Sequence, residues 1–373
     1  MRRTVFIHIL LCAVLLLTAC QADDPENLFG TTEGPEMITT ADQTDAPIPE
    51  DTGYYQYGNM QKNIPSGNFM RYGDNILITE FVGGKGILFS YDMNTGEVSP
   101  FCQDATCDHE PDECAAGGVS SNLESYGGKL YGLAEDVWGT SGGDKVMELK
   151  NGRFEEVVRG AGCFWHAGGN LYAISDDSSL LVFEGGSGEP RILLDEYNDY
   201  FNVMFGQYLY GNNSADGLVR LDLQAEEPQR EVLVENAIAI VDGEHIYYAP
   251  RDSYYLYRCN MDGSDPELLL DKPVLPASWN FDDEYFYFRL YTDHDMTGED
   301  SNAIYRLAKD DPTQIEKLVE LPESAYQVFT VPGYDKMFVR AVGVTGEDGQ
   351  NTFPLYVVAT DGTSAELLKF PEF

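Results

Sequence analysis

A repeat with a period near 40 residues constrains this chain more than any other feature of its sequence. Short apolar-aromatic strands, each led in by a Gly or an Asp and read as the first strand of its copy, recur at Asp74-Asn75-Ile76-Leu77, Gly128-Lys129-Leu130-Tyr131, Gly169-Asn170-Leu171-Tyr172 and Gly206-Gln207-Tyr208-Leu209-Tyr210. They continue at Gly243-Glu244-His245-Ile246-Tyr247, Asp283-Glu284-Tyr285-Phe286 and Asp335-Lys336-Met337-Phe338. With Leu77, Tyr131, Tyr172, Tyr210, Tyr247, Phe286 and Phe338 aligned, the intervals are 54, 41, 38, 37, 39 and 52 residues. Downstream, Asp92-Met93-Asn94-Thr95-Gly96, Asn260-Met261-Asp262-Gly263 and Thr360-Asp361-Gly362 supply the positive φ of tight hairpin turns. A further apolar strand follows, as at 267–270 and 366–368. Helical solenoids share such periods, but these segments alternate with period two and are rich in Tyr, Phe and Val. The repeat therefore predicts an all-β domain over 54–373, a β-propeller of about seven four-stranded blades, with six or eight as alternatives.

Residues 1–53 have a different character. Arg2 and Arg3 precede an apolar run from Val5 to Leu17, long enough for the core of a signal peptide and short for a membrane span. The run ends on Leu17-Thr18-Ala19-Cys20, which resembles the lipobox of bacterial lipoproteins. The resemblance implies that residues 1–19 are removed and that Cys20 is lipidated, palmitate included, as the mature N-terminus. It also implies a location at the cell membrane, lipid-anchored and facing outside the cytoplasm. A cleaved secretory peptide, or an anchor helix in which Cys20 has no role, is the plainer alternative. Residues 20–53 hold Asp23, Asp24, Glu26, Glu33, Glu36, Asp42, Asp45, Glu50 and Asp51, and no Lys or Arg falls between Arg3 and Lys62. Low hydrophobicity with charge of one sign predicts a disordered acidic tether.

Net charge excludes some partners. The chain carries 63 acidic and 23 basic side chains, a formal charge of −40. Such a surface repels nucleic acid and anionic lipid, so neither is expected to bind it through bulk electrostatics.

The repeats resemble the low-density-lipoprotein-receptor-like β-propeller domain of unknown function found in lipoproteins of Gram-positive gut bacteria. The resemblance spans roughly 54–373 and rests on the recurring Gly/Asp-x-x-apolar-Tyr and Asp-Gly signals, which specify fold and no activity. The receptor's own Tyr-Trp-Thr-Asp signature is absent. The compact pattern C-x4-C-x-H-x4-C, formed by Cys102, Cys107, His109 and Cys114, is similar to one in those lipoproteins, where it follows the last strand of the first blade.

Three Cys and one His match the ligand count of a structural tetrahedral zinc site. The spacing is not that of the common zinc fingers, and outside the membrane thiols oxidise, so a disulfide competes with zinc, and free thiols remain a third state. Cys163 and Cys259 fall in predicted strands and read as buried apolar side chains, and His166 beside Trp165 reads as packing. In the long interval before Phe338, Asp293, Asp295 and Asp300 lie in a segment whose start matches a calcium loop. The twelfth loop position is Ile304, so the bidentate Glu is missing and a solvated acidic loop is the competing reading. Trp138, Trp165 and Trp279 are candidate stacking platforms for sugar rings, against the alternative of packing between blades.

No H-E-x-x-H, P-loop or G-x-G-x-x-G occurs. The expected function is thus a non-catalytic binding or scaffold module with an envelope protein as partner, and a monomer. The alternatives are a glycan or small-ligand receptor and a carboxylate-pair carbohydrate-active enzyme.

Overall fold

The computed structural model describes residues 69–82, 85–102, 107–109, 114–135, 143–205, 207–291, 300–331, 333–345 and 351–371. The leader, Cys20, the tether, Trp138, Asp293 and Asp295 lie outside the described residues.

Seven four-stranded antiparallel sheets follow one another along the chain and form a seven-bladed propeller. Within each sheet the strands lie side by side in sequence order, except that the seventh blade inserts a small hairpin, Val344–Thr345 with Asn351–Thr352, between its second and third strands. First strands such as Ser121–Tyr126 and Ala325–Thr330 are almost wholly buried, whereas fourth strands such as Arg191–Leu194 and Ala365–Leu367 are largely exposed. The first strand is therefore the inner edge of each blade and the fourth its rim. Second strands are buried on both faces because neighbouring blades cover both. That is why Asn75–Val82 and Lys336–Ala341 are nearly continuous apolar runs and do not alternate.

The strands carrying Leu77, Tyr131, Tyr172, Tyr210, Tyr247, Phe286 and Phe338 are the second of each blade. This corrects the reading of them as first strands. The true first strands are more varied in sequence, from Ala161–Ala167 (AGCFWHA) to Asn280–Phe281 (NF).

The hairpin turns form as the sequence indicates. Asp92 Oδ1 accepts the backbone N–H groups of Asn94 and Thr95, each at 2.8 Å, and Gly96 follows at φ 75°. Between first and second strands the same device recurs: Asp242 Oδ1 accepts from Glu244 and His245, and Asp282 Oδ1 from Glu284 and Tyr285.

The ring closes without strand exchange between the terminal blades among the described residues. Side chains make the seam. Phe69 of blade 1 stacks on Phe329 and Phe338 of blade 7, with ring centroids 4.4 and 4.8 Å apart. Tyr91 meets Phe338 edge-on, and its hydroxyl lies 3.1 Å from that of Tyr334. The buried Arg340 guanidinium pairs with Glu80 across the same boundary.

Candidate metal centre and insertion face

In an up-and-down blade, successive connections alternate between the two faces of the ring. Connections from second to third strands, and from each fourth strand to the next blade, therefore share one face. Every long connection falls there. It carries 101–120 between blades 1 and 2, 135–144 within blade 2, 289–302 within blade 6 and 342–354 within blade 7. The opposite face holds the short turns built on Asp92, Asp242, Asp262, Asp282 and Asp361. Exposed aromatics follow the same division: Phe81 (45%) and Phe353 (40%) both lie on the insertion face, beside the seam of blades 1 and 7.

Segment 101–120 carries the Cys/His group and does lie between blades 1 and 2, as its place in the sequence indicates. Blade 1 ends at Pro100, Cys102 follows after Phe101, and Cys114 opens a short 3-10 turn, Ala115–Gly117, that leads into blade 2. The three sulfurs and the His109 ring nitrogen all lie within 4.8 Å of one another. His109 Nδ1 sits 3.1 Å from Cys102 Sγ and 3.5 Å from Cys114 Sγ. A tetrahedral zinc site with Zn–S of about 2.3 Å and Zn–N of about 2.0–2.1 Å has ligand–ligand edges of roughly 3.5 Å, so the four atoms stand close to that arrangement.

The His109 N–H points at Cys107 Sγ (3.4 Å). Burial is the main force pushing the Cys114 thiol up to about 12, and neighbouring Cys107 and Cys102 add to the rise. His109 is 2% exposed and sits at φ 52°, a left-handed conformation that turns its ring back over the sulfurs. Cys102 and Cys114 pack against the core shared by blades 1, 2 and 7. Lys85 Nζ donates to Asp108 O at 3.2 Å, which ties the segment to the third strand of blade 1. No disulfide joins these three cysteines to one another among the described residues.

Other sites expected from sequence fare differently. Trp165 and Trp279 are 2% and 1% exposed and belong to the cores between blades. A ring so enclosed offers no face to a sugar, so the stacking expectation is corrected for both. Asp300 is held by Lys317, which also depresses its carboxyl below the ordinary range. Cys163 and Cys259 are buried in apolar cores, and burial pushes the Cys259 thiol up to about 11.

Sequence reasoning missed the polar staples between blades. Glu124 on the first strand of blade 2 accepts the His166 N–H (3.0 Å) and lies 2.8 Å from His166 Nδ1, on the first strand of blade 3. The His166 ring stacks on Tyr126. Asn212 of blade 4 exchanges two hydrogen bonds with the Ala239 backbone of blade 5, at 2.8 and 2.7 Å. On third strands Arg258 and Arg306 each pair with a Glu of the fourth strand, Glu267 and Glu316, and donate to a carbonyl of the next blade, Lys309 O and Thr360 O. The recurring Arg just before the last apolar residue of the third strand was the available signal.

Fold and site define a seven-bladed β-propeller with its irregular segments on one face and a Cys3His cluster among them. No known family matches the sequence, and no curated protein does either. Solved structures match at the level of fold. One, from a study of two prolyl endopeptidases, has a TM-score of 0.51 at 10% identity and covers 87% of this chain and 50% of its own. PorZ, a surface component of the type-IX secretion system of Porphyromonas gingivalis, matches at a TM-score of 0.45 and 12% identity, covering 88% and 39%. Oligogalacturonate lyase from Vibrio parahaemolyticus matches at 0.39 and 12%, covering 87% and 79%. The chain thus spans about half the endopeptidase's length and less of PorZ.

Proposed function

We infer that the chain is an exported lipoprotein, anchored through Cys20 and held off the membrane by residues 21–53, whose propeller is a non-catalytic binding module. Its insertion face meets an envelope protein. The observation that carries this reading is the asymmetry of the ring. One face carries connections of at most seven residues, several of them Asp-capped turns, while the other holds the described ends of the four longest connections together with exposed Phe81 and Phe353. Loops free of strand pairing are where a rigid scaffold places its recognition residues.

Two measurements test it. Wild type and Cys20→Ala are expressed in a Gram-positive host and partitioned into detergent. Wild type is expected in the detergent phase with a fatty-acylated Cys20, and the variant in the aqueous phase. Equal partitioning contradicts the anchor. The purified chain is then incubated with a glycan panel, and released product at any rate above a propeller-free control contradicts the non-catalytic reading.

A further inference from the structure

We propose that Cys102, Cys107, His109 and Cys114 bind one zinc ion in a closed structural site that locks the crossover from blade 1 to blade 2. The inference is independent of the binding-module reading and stands or falls without it.

Crossovers elsewhere in the ring are short. Gly160 alone joins blades 2 and 3, and Asn236 alone joins blades 4 and 5. Residues 101–120 form the longest crossover; Phe101, Ala115, Ala116 and Val119 near its two ends belong to the apolar core, and Cys102 and Cys114 pack against it. The inner turn that carries Cys107 and His109 lies between those ends, and ordering it needs a further source of free energy. The four ligands supply one. Cys102 and Cys114 stand at its two ends, and the ion joins both to the inner turn holding Cys107 and His109.

The donor set selects the metal. Calcium and magnesium take oxygen ligands at six or more positions. Sulfur-rich tetrahedral sets favour zinc or an iron–sulfur cluster. The commonest cluster sets are four Cys, or two Cys with two His, whereas three Cys with one His is an ordinary structural zinc set. Four protein ligands leave no position for water or substrate, so the ion is structural and not catalytic. The His109 N–H aimed at Cys107 Sγ is the kind of outer-shell contact that metal thiolates use, and it is already in place. A disulfide fits less of what is seen. It would consume two sulfurs and leave the third, with a 2%-exposed His109 held at positive φ, without a purpose.

The test uses the full mature chain with Cys20→Ser, purified without added metal or chelator. Elemental analysis is expected to find about one zinc per chain, with Cys102, Cys107 and Cys114 all reduced by mass. Exchange for cobalt is expected to give the visible absorption of a tetrahedral ion and thiolate-to-cobalt charge transfer. That band should be lost in each of Cys102→Ser, Cys107→Ser and Cys114→Ser, which also lose zinc. His109→Cys should keep one equivalent of zinc and His109→Ala should lose it, so ligand loss is separated from a general failure to fold. Removing zinc with a chelator should lower the thermal midpoint of wild type and leave that of the single Ser variants unchanged. A disulfide within the group and no metal in freshly purified protein overturns the proposal. So does copper or iron in place of zinc, or cobalt bound without charge transfer.

Discussion

At the scale of single residues, glycines show how tightly the blades fit. Gly263 and Gly362 sit at φ 80° and 76° in the turns between third and fourth strands. A Cβ added there would stand 2.4 Å from Leu233 O and 2.3 Å from Leu318 O, both on the rim strand of the preceding blade. Backbone strain and the inter-blade clash act together, so Gly362→Ala should destabilise the fold by about 2 kcal/mol or more. Urea denaturation checks this, and an unchanged midpoint would mean that the blades are looser than described. The Asp-Gly signal was legible in the sequence as a turn. Its second role was not, because a neighbour some 40 residues away leaves no local trace. Trp165 and Trp279 teach the same lesson in reverse. Sequence marks each as a large aromatic, and only packing decides that both are enclosed and unavailable to a ligand.

At the scale of elements, the turns link folding to pH. Hydrogen bonds from the Thr363 hydroxyl and N–H hold the Asp361 carboxyl below its usual 3.8, and Ser264 does the same for Asp262. A carboxyl depressed in the folded state contributes stability that is present above the unfolded value and lost as pH falls through the folded one. Asp361→Ala should therefore lower the thermal midpoint at pH 7, and the two midpoints should converge below about pH 3. A constant gap across that range contradicts the assignment. Asp199 acts in the opposite sense, since burial raises its carboxyl and favours the protonated folded state on acidification. The element type and the number of blades could be read from spacing, because a second strand covered on both faces must be continuously apolar. First strands could not, because their residues also supply polar staples such as Glu124–His166 and so break the pattern. The Cys/His group could be placed between blades from its interval alone. What separates a metal centre from a disulfide is the convergence of all four ligand atoms, and sequence spacing does not encode that.

At the scale of the whole molecule, closure of the ring depends on side chains where blades 1 and 7 meet. Phe69 is 1% exposed and packs on two aromatic rings of blade 7. Phe69→Ala should cost about 3–5 kcal/mol and should expose the seam to protease before the rest of the chain. Calorimetry with limited proteolysis checks it, and cleavage beginning elsewhere would contradict a seam closed by packing. The same boundary lies beneath Phe81 and Phe353, so the proposed working face and the closure point share one region of the ring. The most direct test of that face places a photo-reactive side chain at one of four exposed positions in the full-length chain and irradiates intact cells. Two positions, Phe81 and Phe353, lie on the insertion face; the other two, Asn94 and Thr313, lie in turns of the opposite face. A working insertion face predicts one discrete envelope-protein adduct from Phe81 and Phe353 and none from Asn94 and Thr313. The same adduct from the turn positions, with none from Phe81 or Phe353, would contradict it.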